Sequence, residues 1–214
     1  MLQAVLFDLD GTLIDSEPYW IEAEYKLVAE FGGQWSDEHA HALIGSDLLV
    51  AGAYIRDVGG VALEPAEIVD RMLEHVIAAT RQQVPWLPGA RELIADCRSV
   101  GLPCALVTMS YASLTAVVLD ALPPGTFGAV VTGDQVRHGK PHPEPYLTAS
   151  RLLGAEPTRT VAIEDSPPGL ASAEAAGCRT VAVPNRVPLE PAPTRTVVGS
   201  LADLTAASLA ALLP

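Results

Sequence analysis

The sequence predicts an α/β fold: a doubly wound parallel sheet, interrupted after its first strand by a helical insert. Three observations lead there. Short β-rich runs alternate with helical patterns along most of the 214 residues, the order that builds a parallel sheet through helical crossovers. The runs are almost continuously apolar instead of alternating, as strands are when helices cover both faces of their sheet. Between the first two runs lie some 70 residues of purely helical pattern, far more than a crossover needs.

Taken in order, strands are expected at Ala4–Asp8, Cys104–Thr108, Ala129–Thr132, Thr160–Glu164 and Thr180–Val183. A short edge strand is expected at Val197–Gly199. Helices are expected at Pro88–Val100, Ser110–Leu122, Glu144–Leu153 and Pro168–Ala176. Gly101, Gly154 and Gly177 follow three of them, and Pro168 suits a first helical turn. Residues 184–196 read as a Pro-rich surface connection, and Leu201–Leu213 as a terminal helix packed on the rest.

The insert reads as four helices. Ser16 can cap the first, with Pro18 in its first turn and Gly32-Gly33 at its end. Ser36 can cap a second reaching about Ile44, and Ser46 a third ending near Gly59-Gly60. A fourth, from about Pro65 to Gln83, carries Ile68, Met72, Val76 and Thr80 on one face. The chain then divides into residues 1–15 with 87–214 as one domain and 16–86 as the inserted one, with the Pro- and Gly-rich stretch 84–89 as a linker.

Composition narrows the function. With 49% hydrophobic residues the chain can fill a core, so wholesale disorder is not expected. The 13 basic and 26 acidic residues give a net charge of −13, which disfavours nucleic acid and anionic membranes as partners. An anionic substrate would need the local field reversed by a bound cation and a few placed donors. Cys97, Cys104 and Cys178 are odd in number and lack CxxC spacing, as expected of reduced, buried thiols in the cytoplasm. With the first strand expected from about Ala4 no signal peptide is expected, and no apolar run approaches the roughly 18 residues of a membrane span.

Asp8 and Asp10 stand where the first strand runs out into Gly11-Thr12. Residues two apart on a strand point the same way, and two like charges so close call for a cation or a proton. Open α/β sheets bind ligands at this carboxyl end. The Asp-Gly pair alone is also common in plain turns. As chemistry, Asp8 can attack phosphorus as a nucleophile, and Asp10 can protonate the leaving oxygen and later deprotonate water. Thr108 can donate its hydroxyl to a phosphoryl oxygen, or simply end its strand or cap a helix. Lys140 can hold nucleophile and phosphoryl group by charge. Ser110 reads as a helix cap, and Ser166 and Gly169 as turn-shaping residues.

Four stretches together resemble the haloacid dehalogenase superfamily, and within it the capped, β-phosphoglucomutase-like phosphatases. They are Phe7-Asp8-Leu9-Asp10-Gly11-Thr12-Leu13, Thr108 after Ala105-Leu106-Val107, Gly139-Lys140-Pro141 and Glu164-Asp165-Ser166. The resemblance implies a Rossmann-like core with residues 16–86 as a mobile cap. It implies a Mg2+ site formed by Asp8, the Asp10 carbonyl and Asp165, with Glu164 behind them or acting through water. Oxygen ligands of this kind suit Mg2+ over zinc. Two histidine pairs, His39 with His41 and His138 with His142, are not expected to bind metal. Tyr19, Trp20 and Trp35 are expected in the insert's core, with a platform for substrate as the alternative.

The expected activity is hydrolysis of a small phosphorylated metabolite, such as a sugar phosphate, by a monomer. The alternative is a β-phosphoglucomutase-type phosphotransferase, and a more distant one a non-catalytic binding protein. Mutases of the resembled branch carry an arginine shortly after a cap glycine. Here Ile44-Gly45-Ser46-Asp47-Leu48 offers Asp47, with Arg56 a poorly placed substitute.

Overall fold

The computed structural model describes residues 1–44 and 46–213. Among them, strands β1 (Ala4–Phe7), β2 (Cys104–Val107), β3 (Ala129–Val131), β4 (Thr160–Glu164), β5 (Arg179–Ala182) and β6 (Arg195–Val197) form one sheet. All pair in parallel, in the order β3-β2-β1-β4-β5-β6. The chain winds outward from β1 to one side and then to the other, so the switch point lies between β1 and β4. The parallel, doubly wound architecture matches the expectation from continuous apolar runs.

Alternate strand residues feed two cores. Phe7, Leu106 and Ile163 pack with Leu93 and Cys97 of α5 (Ala90–Ser99) and Leu209 of α9 (Ala206–Ala210). Leu6, Ala105 and Ala162 face Tyr146 and Ala149 of α7 (Glu144–Leu153) and Ala173 of α8 (Pro167–Ala175). Every strand residue of β1, β2 and β4 is buried, which explains the absence of polar alternation.

Helices α1 (Glu17–Glu30), α2 (Asp37–Leu43), α3 (Leu48–Gly59) and α4 (Pro65–Gln82) make up the insert. They enclose Leu27, Val28, Ile55 and the expected α4 face of Ile68, Met72 and Val76, while Thr80 is also buried. This core does not stop at the insert: Leu114 of α6 (Ala112–Asp120) is part of it. The two chain crossings run side by side. Asp15 N donates to Pro85 O at 2.9 Å, Leu87 N donates to Leu13 O at 2.9 Å, and Ile14 bridges Trp86 in antiparallel fashion.

Several local expectations are corrected. Asp47, not Ser46, caps α3, its Oδ1 accepting from Leu49 N and Val50 N at 2.9 and 3.2 Å. Gly45 lies outside the described residues. Ser16 precedes α1 but makes no side-chain cap, and α6 starts two residues after Ser110, because both hydroxyls are used elsewhere. The terminal helix is broken into a single turn, Leu201–Asp203, and α9, since Thr205 and Ser208 cap a new start. The edge strand falls at Arg195–Val197, earlier than expected. Among the described residues no helix is long and apolar enough to cross a membrane.

Candidate active site

Register assembles the site. Phe7 is level with Leu106 on one side and Ile163 on the other, so Asp8, Thr108, Glu164 and Asp165 emerge together at the sheet's carboxyl edge. Asp8, Glu164 and Asp165 each offer an oxygen within 4.8 Å of the others, and all three are buried. Among the described residues this is the one such grouping of potential metal-binding side chains. Gly11, at a φ of 85°, keeps its place because a Cβ there would overlap the Asp165 carboxylate. A Cβ on Gly169 would likewise overlap Glu164.

Lys140 answers this charge. Its Nζ reaches Asp8 Oδ1 at 2.7 Å, Glu164 Oε1 at 2.6 Å and Val107 O at 2.9 Å, and its side chain is only 4% exposed. Burial pulls the ammonium's pKa down, but Asp8 and Glu164 outweigh burial and hold it above its ordinary value. Tyr146 hydroxyl donates to Glu164 Oε1 at 2.6 Å, and Ser166 hydroxyl to Oε2 at 3.1 Å. Glu164 is therefore fully committed to neighbouring side chains. Asp8 is not: its Oδ2 is buried without a hydrogen-bond partner among the described residues. Burial, with Glu164 adding repulsion and Lys140 opposing, pushes the Asp8 carboxyl from 3.8 up to about 7. Burial and then Asp8 and Glu164 also raise Asp165 well above the carboxylate range. Three carboxylates against one ammonium, with one orphaned oxygen, fit a hard cation.

Asp10 turns its side chain to three hydroxyls. Oδ1 accepts from Ser16 at 2.6 Å, and Oδ2 from Ser110 at 2.7 Å and Thr108 at 3.1 Å. Its carbonyl accepts no hydrogen bond among the described residues. Ser16 and Ser110, read from sequence as helix caps, thus orient Asp10. The Thr108 hydroxyl has one proton to give, so reaching a phosphoryl oxygen requires it to turn from Asp10.

A cavity of about 90 Å³ lies over these groups, roofed by the insert. The insert contributes Glu17, Trp20, Glu24, Leu48 and Met72, and the loop after β5 contributes Asn185 and Arg186. None of these was singled out in sequence as a site residue. Arg186 Nη2 is tied to Asp15 at 2.8 and 2.9 Å. Trp20 belongs both to the insert's core and to the cavity wall. His39 packs on Trp35 and pairs with the Tyr54 hydroxyl, and His138 lies tilted against His142 with ring centroids 4.7 Å apart.

Glu24 is 3% exposed, and Trp35 Nε1 donates to its Oε2 at 3.0 Å. Burial, against that bond and with Glu17 adding, raises its pKa from 4.5 to about 8. The folded state holds a proton that the unfolded chain has released, so stability falls as pH rises from 4.5 and levels off near 8. Across that window wild type should lose about 3–5 kcal/mol relative to Glu24→Gln. Urea unfolding of both proteins across the window tests this; identical pH slopes would refute it.

Residues 5–183 match the haloacid dehalogenase-like hydrolase family, and the chain belongs to it. It is therefore an enzyme of the hydrolase class. It is 34% identical over 186 residues to hexitol phosphatase B of Escherichia coli (strain K12), covering 85% of this chain and 83% of that one. CbbY from Rhodobacter sphaeroides, solved with phosphate, superposes with a TM-score of 0.88 at 28% identity over 98% of this chain and 99% of that one. The fold is also that of a β-phosphoglucomutase from Clostridium difficile, with a TM-score of 0.84 at 21% identity over 99% and 97% of the two chains.

Proposed function

We propose that this chain is a Mg2+-dependent phosphatase that hydrolyses a small phosphorylated metabolite through an aspartyl-phosphate on Asp8. The observation that carries this reading is Asp8 itself: a buried carboxylate lining the cavity, one oxygen on Lys140 and the other without a partner. The curated relative's name, a hexitol phosphatase, supports a sugar or polyol phosphate as the substrate.

The chemistry follows in two steps. Asp8 attacks phosphorus, the bond from phosphorus to the ester oxygen breaks, and Asp10 gives the departing alkoxide a proton. Asp10 then takes a proton from water as that water attacks phosphorus, which frees Asp8 and releases phosphate. Lys140 holds Asp8 and draws on phosphoryl charge. Asp8, Asp165 and the Asp10 carbonyl would hold the cation, with Glu164 behind them fixed by Lys140, Tyr146 and Ser166. The cation supplies the positive charge that lets a phosphoryl group approach these carboxylates.

Residues 16–86 are proposed to act as a cap that opens for exchange about the paired crossings at Asp15 and Pro85. Hydrolysis is favoured over isomerisation because Asp47 is spent capping α3 and Arg56 pairs with Asp57 at 2.8 Å, away from the cavity. The three buried, unbridged cysteines accord with a cytoplasmic enzyme. Phosphate release from a panel of sugar and polyol phosphates should fall to background in EDTA and return with Mg2+. Full activity in chelator would sink the metal assignment, and bisphosphate-dependent isomerisation without release would move the enzyme to the mutases.

A further inference from the structure

Glu24 is out of place on packing grounds alone. It lies among Trp20, Ala23, Leu27 and Val28 on the buried face of α1, where an apolar side chain would satisfy the core. Taking a carboxyl out of water is costly, and one hydrogen bond from Trp35 does not offset it. That bond fixes the side chain. Oε2 accepts from the indole, and Oε1 receives no donor among the described residues while the residue lines the cavity over Asp8. Glu17 lines the same cavity from the same helix face, seven residues earlier and about 10 Å along the axis.

The rest of the roof is uncharged. Trp20, Leu43, Leu48, Ala51 and Met72 supply apolar wall. Two cations border the cavity among its described lining residues, and both are taken: Lys140 by Asp8 and Glu164, Arg186 by Asp15. Protonated or ionised, a carboxyl accepts a hydrogen bond from a hydroxyl, and in neither form does it offer positive charge to an anion.

We infer that Glu24, held by Trp35, and Glu17 select the leaving group by accepting hydrogen bonds from its hydroxyls. The preferred substrate is then the monophosphate of a neutral, multiply hydroxylated alcohol, and one with a second phosphate or a carboxylate is turned away. Seating the phosphate at Asp8 rests on the proposed phosphatase reading; the selectivity of the roof is measured without turnover.

The test is calorimetric binding with Mg2+ to the Asp8→Asn protein, with sorbitol 6-phosphate, fructose 1,6-bisphosphate and inorganic phosphate as probes. Sorbitol 6-phosphate should bind at least about tenfold more tightly than the bisphosphate. Adding Glu24→Leu should weaken sorbitol 6-phosphate roughly 10- to 100-fold, at least tenfold more than it weakens inorganic phosphate. Glu24→Gln keeps an acceptor for Trp35 and guards against a folding defect in the leucine variant; it should narrow the gap between the two sugar ligands at least about threefold. Equal or tighter binding of the bisphosphate would overturn the inference. So would equal weakening of sorbitol 6-phosphate and inorganic phosphate, or an unchanged gap in Glu24→Gln. If the binding pattern holds while the wild type releases no phosphate from any ester, the selective roof stands and the phosphatase reading falls.

Discussion

Asp8→Asn should lower kcat by at least about 10⁴-fold, since an amide cannot form the phosphoryl-enzyme and no neighbour can replace it. Asp10 is the nearest substitute, but Ser16, Ser110 and Thr108 hold its carboxylate in another direction. The fold should survive. Lys140 keeps Glu164 at 2.6 Å and Val107 O at 2.9 Å, and an asparagine oxygen can accept the bond that Asp8 Oδ1 now accepts. The new amide nitrogen takes the position of the orphaned Oδ2, which has no partner to lose among the described residues. At pH 8 without metal, above the Asp8 pKa of about 7, the variant removes one of three buried carboxylates that share a single ammonium. Its Tm should equal or exceed that of the wild type, and added Mg2+ should raise it less. A variant that keeps more than a few per cent of turnover would remove Asp8 as the nucleophile.

The sequence exposed the sheet and the acidic site because each leaves a one-dimensional trace. Parallel strands buried on both faces read as short apolar runs, and the residues that end them fall at one edge whatever the details of packing. Ser16 and Ser110 were misread because a serine before a helix has two possible partners, and sequence does not reveal the competing carboxylate across the site. Asp47 and Ser46 are neighbours that can each cap α3, so only the backbone geometry distinguishes them. Tyr146 joins Glu164 across 18 residues and two elements, a contact that exists only after α7 packs on the sheet. Arg186 belongs to a Pro-rich connection with no periodic signal. Glu24 did leave a trace: positions 20, 23, 24, 27 and 28 form the buried stripe of α1, and one of them is a carboxylate. A charge on a core stripe is the sequence signal that a helix face serves a ligand as well as a fold.

Lys140→Met separates charge balance from catalysis. Methionine fills the volume but leaves Asp8 and Glu164 facing each other without the ammonium that now bridges them at 2.7 and 2.6 Å. Breaking a buried ion pair by removing one partner costs about 3–5 kcal/mol. For a domain of this size that corresponds to a Tm lower by roughly 6–20 °C in metal-free protein. The deficit should shrink as pH falls toward about 7 and level off below it, because without the ammonium Asp8 takes up its proton at a higher pH than in the wild type. Mg2+ affinity should hold or rise, since the ammonium no longer competes with the ion for the same carboxylates. Turnover should nevertheless fall about 10²- to 10³-fold even when Mg2+ has restored the Tm, because the charge that meets the phosphoryl oxygens is gone. Lys140→Arg should not rescue it: a planar guanidinium cannot reach Asp8, Glu164 and the Val107 carbonyl from a pocket that fits a 4% exposed ammonium. Retention of more than about a tenth of kcat would confine Lys140 to holding the fold. Weakened Mg2+ binding with lost turnover would instead mean that the carboxylates themselves had moved.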